Sequence, residues 1–147
     1  MKIRDASPAD LAAVEGLLAA NDLPRDGVRG SFAGFLVADD EGVVVGAVGL
    51  ETFDSAALLR SAVVAADHRG TGVGRQLVEQ ALERAEREGV DDVYLLTTTA
   101  EDYFPRFGFT RASRAAVPAA LESSAEFQGA CPESAVVMTR RTTRASR

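Results

Sequence analysis

A single cysteine, Cys131, leaves no disulfide framework and no cysteine-rich zinc site for this chain. A single histidine, His68, argues against a histidine-based metal centre and against a Ser-His-Asp triad, so no metal is expected. No apolar run reaches membrane length, and no charged-then-apolar segment opens the chain, so neither a membrane partner nor export is expected and the place of action reads as cytoplasmic. Positive charge is also short. The formal net charge is −6, which argues against a nucleic-acid partner. What remains is 147 residues with 46% hydrophobic content, enough for the core of one ordinary domain. That domain is expected over residues 1–139. The basic stretch 140–147, Arg140-Arg141-Thr142-Thr143-Arg144-Ala145-Ser146-Arg147, reads as a frayed tail.

The most informative segment is Arg69-Gly70-Thr71-Gly72-Val73-Gly74. An apolar run, Leu58 to Ala65, precedes it, and an amphipathic stretch, Arg75 to Ala85, follows. Strand, glycine-rich turn and helix start together make an anion site, because glycines let the backbone approach a ligand and the first helical N–H groups point at it. A phosphate or pyrophosphate is the expected ligand. No lysine completes a P-loop, and the glycines run G-x-G-x-G rather than G-x-G-x-x-G, so the two commonest nucleotide motifs do not fit.

Hydrophobic periodicity orders the rest. Residues 1–5 read as a strand. Ser7-Pro8-Ala9-Asp10 is a helix start, with Leu11, Val14, Leu17 and Leu18 on one face and Asn21 and Pro24 as the stop. Strands are expected at 35–38, 43–53, 57–65, 93–97, 109–114 and 134–139. Helices are expected from the glycine turn to Glu88, with a Glu83–Arg87 surface pair, then over 100–107 and 118–128. The apolar stretch Val93 to Leu96 suits a central parallel strand, completing a β–α–β crossover with residues 57–65.

The spacing Arg69-x-x-Gly72-x-Gly74 resembles the acyl-CoA loop of the GNAT superfamily of N-acetyltransferases, and the element order matches that fold from about residue 2 to 139. The implied fold class is α/β (α+β): a mixed, mostly antiparallel sheet with one central parallel crossover and flanking helices. The second half, with Tyr94-Leu95-Leu96-Thr97-Thr98-Thr99, Tyr103-Phe104, Gly108-Phe109 and Cys131-Pro132-Glu133, is similar to amino-acid N-acetyltransferases of the arsenic-resistance group, with kinship to acetylglutamate synthase domains.

That resemblance implies acetyl-CoA as donor and the primary amine of a small, amino-acid-like molecule as acceptor, with direct attack on the thioester. It implies that Val63 and Val64 pair their backbone with the pantetheine arm. Gly70, Thr71, Gly72, Val73 and Gly74 wrap the pyrophosphate, and Arg69 and Arg75 add charge. A backbone N–H near Val64 would hold the oxyanion. A carboxylate must deprotonate the ammonium, and Glu51 is the first candidate, ahead of Asp102 and Glu101. Arg60 is expected to receive a substrate carboxylate, with a structural ion pair as the alternative. Thr97, Thr98 and Thr99 are expected at the substrate or pantetheine. Cys131 reads as structural. The tyrosine that many relatives use to protonate the leaving thiolate is replaced by Phe104. Tyr103 is the remaining acid candidate, and water the preferred donor because helical neighbours point apart. A pair of copies of the chain is compatible with all of this. The rivals are a catalytically inactive acyl-CoA-binding regulatory module of the same fold, and a nucleotide-binding regulatory module.

Overall fold

The computed structural model describes residues 1–98, 100–124, 126–130 and 135–142. Ser7 and Asp10 begin the first helical segment as the sequence suggests. The Ser7 N–H donates to Asp10 Oδ2 at 2.8 Å, and the Asp10 N–H returns to the Ser7 carbonyl. A short 3₁₀ turn, Pro8–Asp10, leads into α1, Leu11–Ala20. The Asn21 side chain ends it by donating to the Leu17 carbonyl.

One seven-stranded sheet carries the fold. Its strands are β1 (Lys2–Asp5), β2 (Phe35–Asp40), β3 (Val43–Phe53), β4 (Ala56–Val64), β5 (Asp92–Thr97), β6 (Thr110–Ala112) and β7 (Val136–Arg141). The spatial order is β1-β2-β3-β4-β5-β7-β6. Every pairing is antiparallel except β4 with β5, which the helix α2 (Val73–Arg87) connects as a crossover. This is the expected mixed sheet of the GNAT fold.

β2 shows why the sheet is buried on both faces. Leu36 and Ala38 join one cluster with Val73, Leu77, Val78 and Ala81 of α2. Phe35 and Val37 point the other way, onto Val14 and Leu18 of α1. Alternation along an extended chain requires this split. Each large side chain so buried contributes roughly 1.5–3 kcal/mol. A third cluster joins Leu58 and Tyr94 to Val117 and Leu121.

Several boundaries differ from expectation. The 100–107 helix reduces to a 3₁₀ turn, Phe104–Phe107, because Pro105 lacks an N–H and disfavours helical geometry in the residue before it. No continuous helix spans 118–128. Short turns, Arg114–Ala116 and Ala119–Ser123, precede a single π turn, Glu126–Ala130. Ser123 Oγ bonds the Ala120 carbonyl, and Ser124 Oγ accepts from the Glu126 N–H, so serines compete with the helical ladder. The expected strand over 109–114 shrinks to β6. β7 runs to Arg141, so two residues expected in the tail are strand, and Thr142 is buried beyond them. The pairs that form on α2 are Arg75–Glu79 and Arg84–Glu88, not Glu83–Arg87. Residues 143–147 lie outside the described residues.

Candidate active site

The parallel pairing of β4 with β5 ends at Leu58 opposite Tyr94. Beyond that rung the two strands have no mutual register. The residues that follow on each strand, Leu59 to Val64 and Leu95 to Thr98, line a cavity of about 1090 Å³. A bulge in β4 accompanies the divergence. Gly49 pairs with Arg60 but Ala47 pairs with Val63, so two residues of β4 oppose the single Val48. Ser61 sits in this bulge with φ +58°, a left-handed conformation that non-glycine residues hold only under constraint.

The glycine turn forms one end of the cavity. Gly70 and Gly72 have φ of +79° and +89°, and Gly72 is the residue immediately before α2. A side chain at Gly72 would enter open space, so its glycine answers to backbone conformation and to approach from outside, not to packing. A Cβ at Gly74 would meet Tyr103 Oη and Val64 Cγ2 at 3.4 Å. Val63, Val64, Arg69, Gly70, Gly72, Gly74 and Arg75 all line the cavity. Thr71 does not, and its hydroxyl bonds the His68 carbonyl. The Val73 side chain is core, which leaves only its backbone to the turn. The mouth is basic, with Arg69, Arg75, Arg106 and His68 around it. His68 is bonded by Asp40 and Asp67, which push its pKa up and favour the imidazolium. Arg69 also reaches the Asn21 side chain, tying the turn to the end of α1.

Tyr103 lies on the cavity wall, contrary to the expectation that it points away. The helical-wheel reasoning fails because residues 101–103 form a turn and the helical segment starts only at Phe104. The ring is held edge-on by Phe104 and Phe107, with the Arg106 guanidinium 4.4 Å from its centroid. Thr97 and Thr98 line the cavity, and Thr97 Oγ1 accepts the Ala100 N–H at 2.9 Å. Thr99 and Cys131 lie outside the described residues.

At the other end the sequence-based assignments change most. Arg60 is buried, with no side-chain exposure, and its anion is supplied by the protein itself. Nη1 donates to Glu51 Oε2 at 2.7 Å, Nη2 to the Asp26 carbonyl at 2.6 Å and Nε to Ser61 Oγ at 3.0 Å. The expected free receptor for a substrate carboxylate is therefore an ion pair. Glu51 is committed to that pair and is not among the residues lining the cavity. A second carboxylate, Glu126, does line the cavity. Its Oε2 is 3.8 Å from Arg60 Nε, its side chain is 5% exposed, and its buried Oε1 has no hydrogen-bond partner among the described residues. Burial pushes its carboxyl up to about 7; Glu51 acts in the same direction and Arg60 against it. Nothing in the sequence flagged Glu126. It reads there as one more surface acid on an amphipathic helix, and only the broken helix turns it inward.

A cavity of about 1090 Å³ where parallel strands diverge, with a glycine turn and helix start at one end, is the arrangement of a GNAT-type acyltransferase. The chain belongs to the GNAT acetyltransferase family: the profile of the acetyltransferase (GNAT) domain matches residues 31–111. An N-acetyltransferase of unknown function from Chlorobaculum tepidum is 32% identical over 109 residues, covering 71% of this chain and 70% of that protein. An amino-acid acetyltransferase from Aeromonas salmonicida is 32% identical over 77 residues, which is 51% of this chain but 17% of that one. Among solved structures, N-acetylglutamate synthase from Neisseria gonorrhoeae, in complex with coenzyme A and N-acetyl-glutamate, superposes with a TM-score of 0.84 at 20% identity. It matches 97% of this chain, which spans only 35% of that synthase. A Mycobacterium tuberculosis protein solved with CoA superposes with a TM-score of 0.82 at 22% identity, covering 96% of this chain and 99% of that one. At these identities the superpositions speak for the fold. No helix among the described residues is long and apolar enough to cross a membrane.

Proposed function

We propose that this enzyme transfers the acetyl group of acetyl-CoA to the primary amine of a small amino-acid-like molecule, by direct attack on the thioester. The carrying observation is the single cavity that runs from the glycine turn, past the divergence of β4 and β5, to the buried Arg60 cluster. A long donor enters from the basic mouth and an acceptor meets it at the far end. The catalytic unit is the sheet from β1 to β7 with its helices.

In this reading the backbone of Gly70 to Gly74 wraps the pyrophosphate at the start of α2, where N–H groups and the helix dipole favour an anion. Arg69 and Arg75 add charge. The edge of β4 that faces β5 has no strand partner past Leu58, so Val63 and Val64 offer backbone groups to the pantetheine amides as a strand would. Tyr103 Oη, close to Gly74 and Val64, donates to the leaving thiolate. Thr97 and Thr98 contact the acceptor or the end of the pantetheine. The resemblance to the arsenic-resistance group extends the acceptor class to arsonate and phosphonate analogues of amino acids. No metal takes part.

The test is CoA release from acetyl-CoA with amino acids, their amides, and their phosphonate and arsonate analogues, alongside calorimetry with acetyl-CoA alone. Turnover with a member of this panel is expected. Binding without turnover of any amine would make the protein an acyl-CoA-binding regulatory module, and no binding would defeat the cofactor assignment.

A further inference from the structure

Of the two carboxylates that face Arg60, only Glu126 is among the residues lining the cavity. Glu51 comes from β3, and its Oε2 is the acceptor of a 2.7 Å bond from Arg60 Nη1. Glu126 comes from the π turn after the Ala119–Ser123 segment and lines the cavity with Arg60, Thr97 and Leu96. Its Oε2 lies at the long end of ion pairing with Arg60, and Oε1 has no partner among the described residues. A buried carboxylate oxygen without a donor is costly, and native structures rarely keep one without a use. The group that would satisfy it is a cation with N–H donors, arriving through the cavity.

We infer that Glu126 is the general base of acetyl transfer: Oε1 receives the acceptor's ammonium and takes one of its protons. This rests on the acetyl-transfer reading given above. The ammonium and the carboxylate become a neutral amine and a carboxylic acid. The amine lone pair then forms the C–N bond to the thioester carbonyl, the C–S bond breaks, and CoA leaves as the thiolate. Tyr103 gives its proton to the thiolate and is reprotonated by the second proton lost from the new amide nitrogen, and Glu126 returns its proton to solvent, which completes the balance. Arg60 is a positioning residue. Its guanidinium is locked by Glu51, Ser61 and the Asp26 carbonyl, so it faces Glu126 Oε2 at 3.8 Å as a fixed charge with no hydrogen bond to it.

The environment suits the task. A base works best with a pKa near the operating pH, and burial lifts Glu126 to about 7. The charged groups that act on it are Arg60 of β4 and Glu51 of β3. With Arg60 and Glu51 neutralising each other, the acidic groups left at this end are Glu126 and Asp26, which also lines the cavity. The same geometry therefore selects acceptors that bring an ammonium, not a carboxylate, to the deep end of the cavity.

The experiment measures kcat/KM against pH for wild type and Glu126→Gln, using the amino-acid and amide panel as acceptors. Wild type should show an acid limb near the carboxyl's pKa. Glu126→Gln should lose roughly a hundredfold in kcat and lose that limb, with acetyl-CoA affinity by calorimetry and thermal unfolding showing an intact fold. Glu126→Asp keeps a carboxylate and should retain the limb with an intermediate rate. Wild-type turnover with an undiminished Glu126→Gln would overturn this inference alone. A Glu126→Gln that loses rate equally at all pH values with its limb intact would also overturn it. A wild type inactive towards every amine yet binding acetyl-CoA would overturn the acetyl-transfer reading and this inference with it.

Discussion

Arg60 Nη1 donates to Glu51 Oε2 at 2.7 Å, and the guanidinium has no exposed surface. The pair stands where β4 begins to leave β5, so one interaction supports both the wall of the cavity and the geometry of Glu126. Removing one partner of a buried pair costs more than the pair is worth, because the other charge stays behind without compensation.

Arg60→Ala should therefore destabilise the protein by about 3–5 kcal/mol in urea titration at pH 8. Arg60 is the influence that lowers the Glu126 carboxyl, so its loss should move the acid limb of any remaining activity to higher pH. An unchanged limb would mean that Arg60 and Glu126 are not coupled.

Glu126 also has a consequence for stability. Its folded pKa is raised, so the folded state binds the proton more tightly than the unfolded chain. The resulting contribution is complete below the ordinary carboxylate range and is lost as pH rises through about 7. Glu126→Gln mimics the protonated form. It should melt higher than wild type at pH 8 and equal to it near pH 4. Calorimetric scans at both values check this, and a lower melting temperature at pH 8 would contradict it.

Gly72→Val places a branched side chain at φ +89°, in the open space beside the turn proposed to hold the pyrophosphate. The fold should survive. Affinity for acetyl-CoA should fall at least tenfold, about 1.4 kcal/mol or more by calorimetry. Equal affinities would remove the turn from the donor site.

Tyr103→Phe deletes one hydroxyl on the cavity wall and leaves the ring contacts with Phe104 and Phe107 intact. A kcat lowered roughly tenfold to a hundredfold, with little change in KM, is expected if the hydroxyl protonates the thiolate. A wild-type rate would assign that proton to water. Phe104 packs in the α2-side core and also lines the cavity, so Phe104→Tyr in the Tyr103→Phe background tests whether a hydroxyl one residue on restores the rate.

Asp10 accepts from Arg4 at 2.8 Å and from the Ser7 N–H. The Arg4 bond, with the Ser7 bonds, holds its carboxyl down to about 2. A depressed carboxyl stabilises above its unfolded pKa and loses that contribution as pH falls towards the folded value. Asp10→Ala should cost about 0.5–2 kcal/mol at pH 7 as a lost helix cap. The difference from wild type should shrink between pH 4 and pH 2, followed by far-UV circular dichroism.

The sequence by itself determined the sheet's composition and the glycine turn that precedes α2. The apolar stretch Val43 to Leu50, a run before Ala65 broken only by Arg60 and Ser61, and another at Val93 to Leu96 leave few arrangements, and the glycines at 70 and 72 meet a local requirement of backbone conformation. Local patterns record local causes. The acceptor end is different. Arg60, Glu51, Asp26 and Glu126 come from four separate segments, and their roles follow from which one pairs with which. Only the tertiary structure decided that Glu51 is spent on Arg60, that Glu126 faces the cavity, and that Tyr103 escapes the helix that would have turned it away. Two serines and a proline interrupted helices that periodicity alone extended, and those interruptions redirected the side chains. Charge pairing and side-chain direction depend on distances across the fold, which no spacing along the chain encodes.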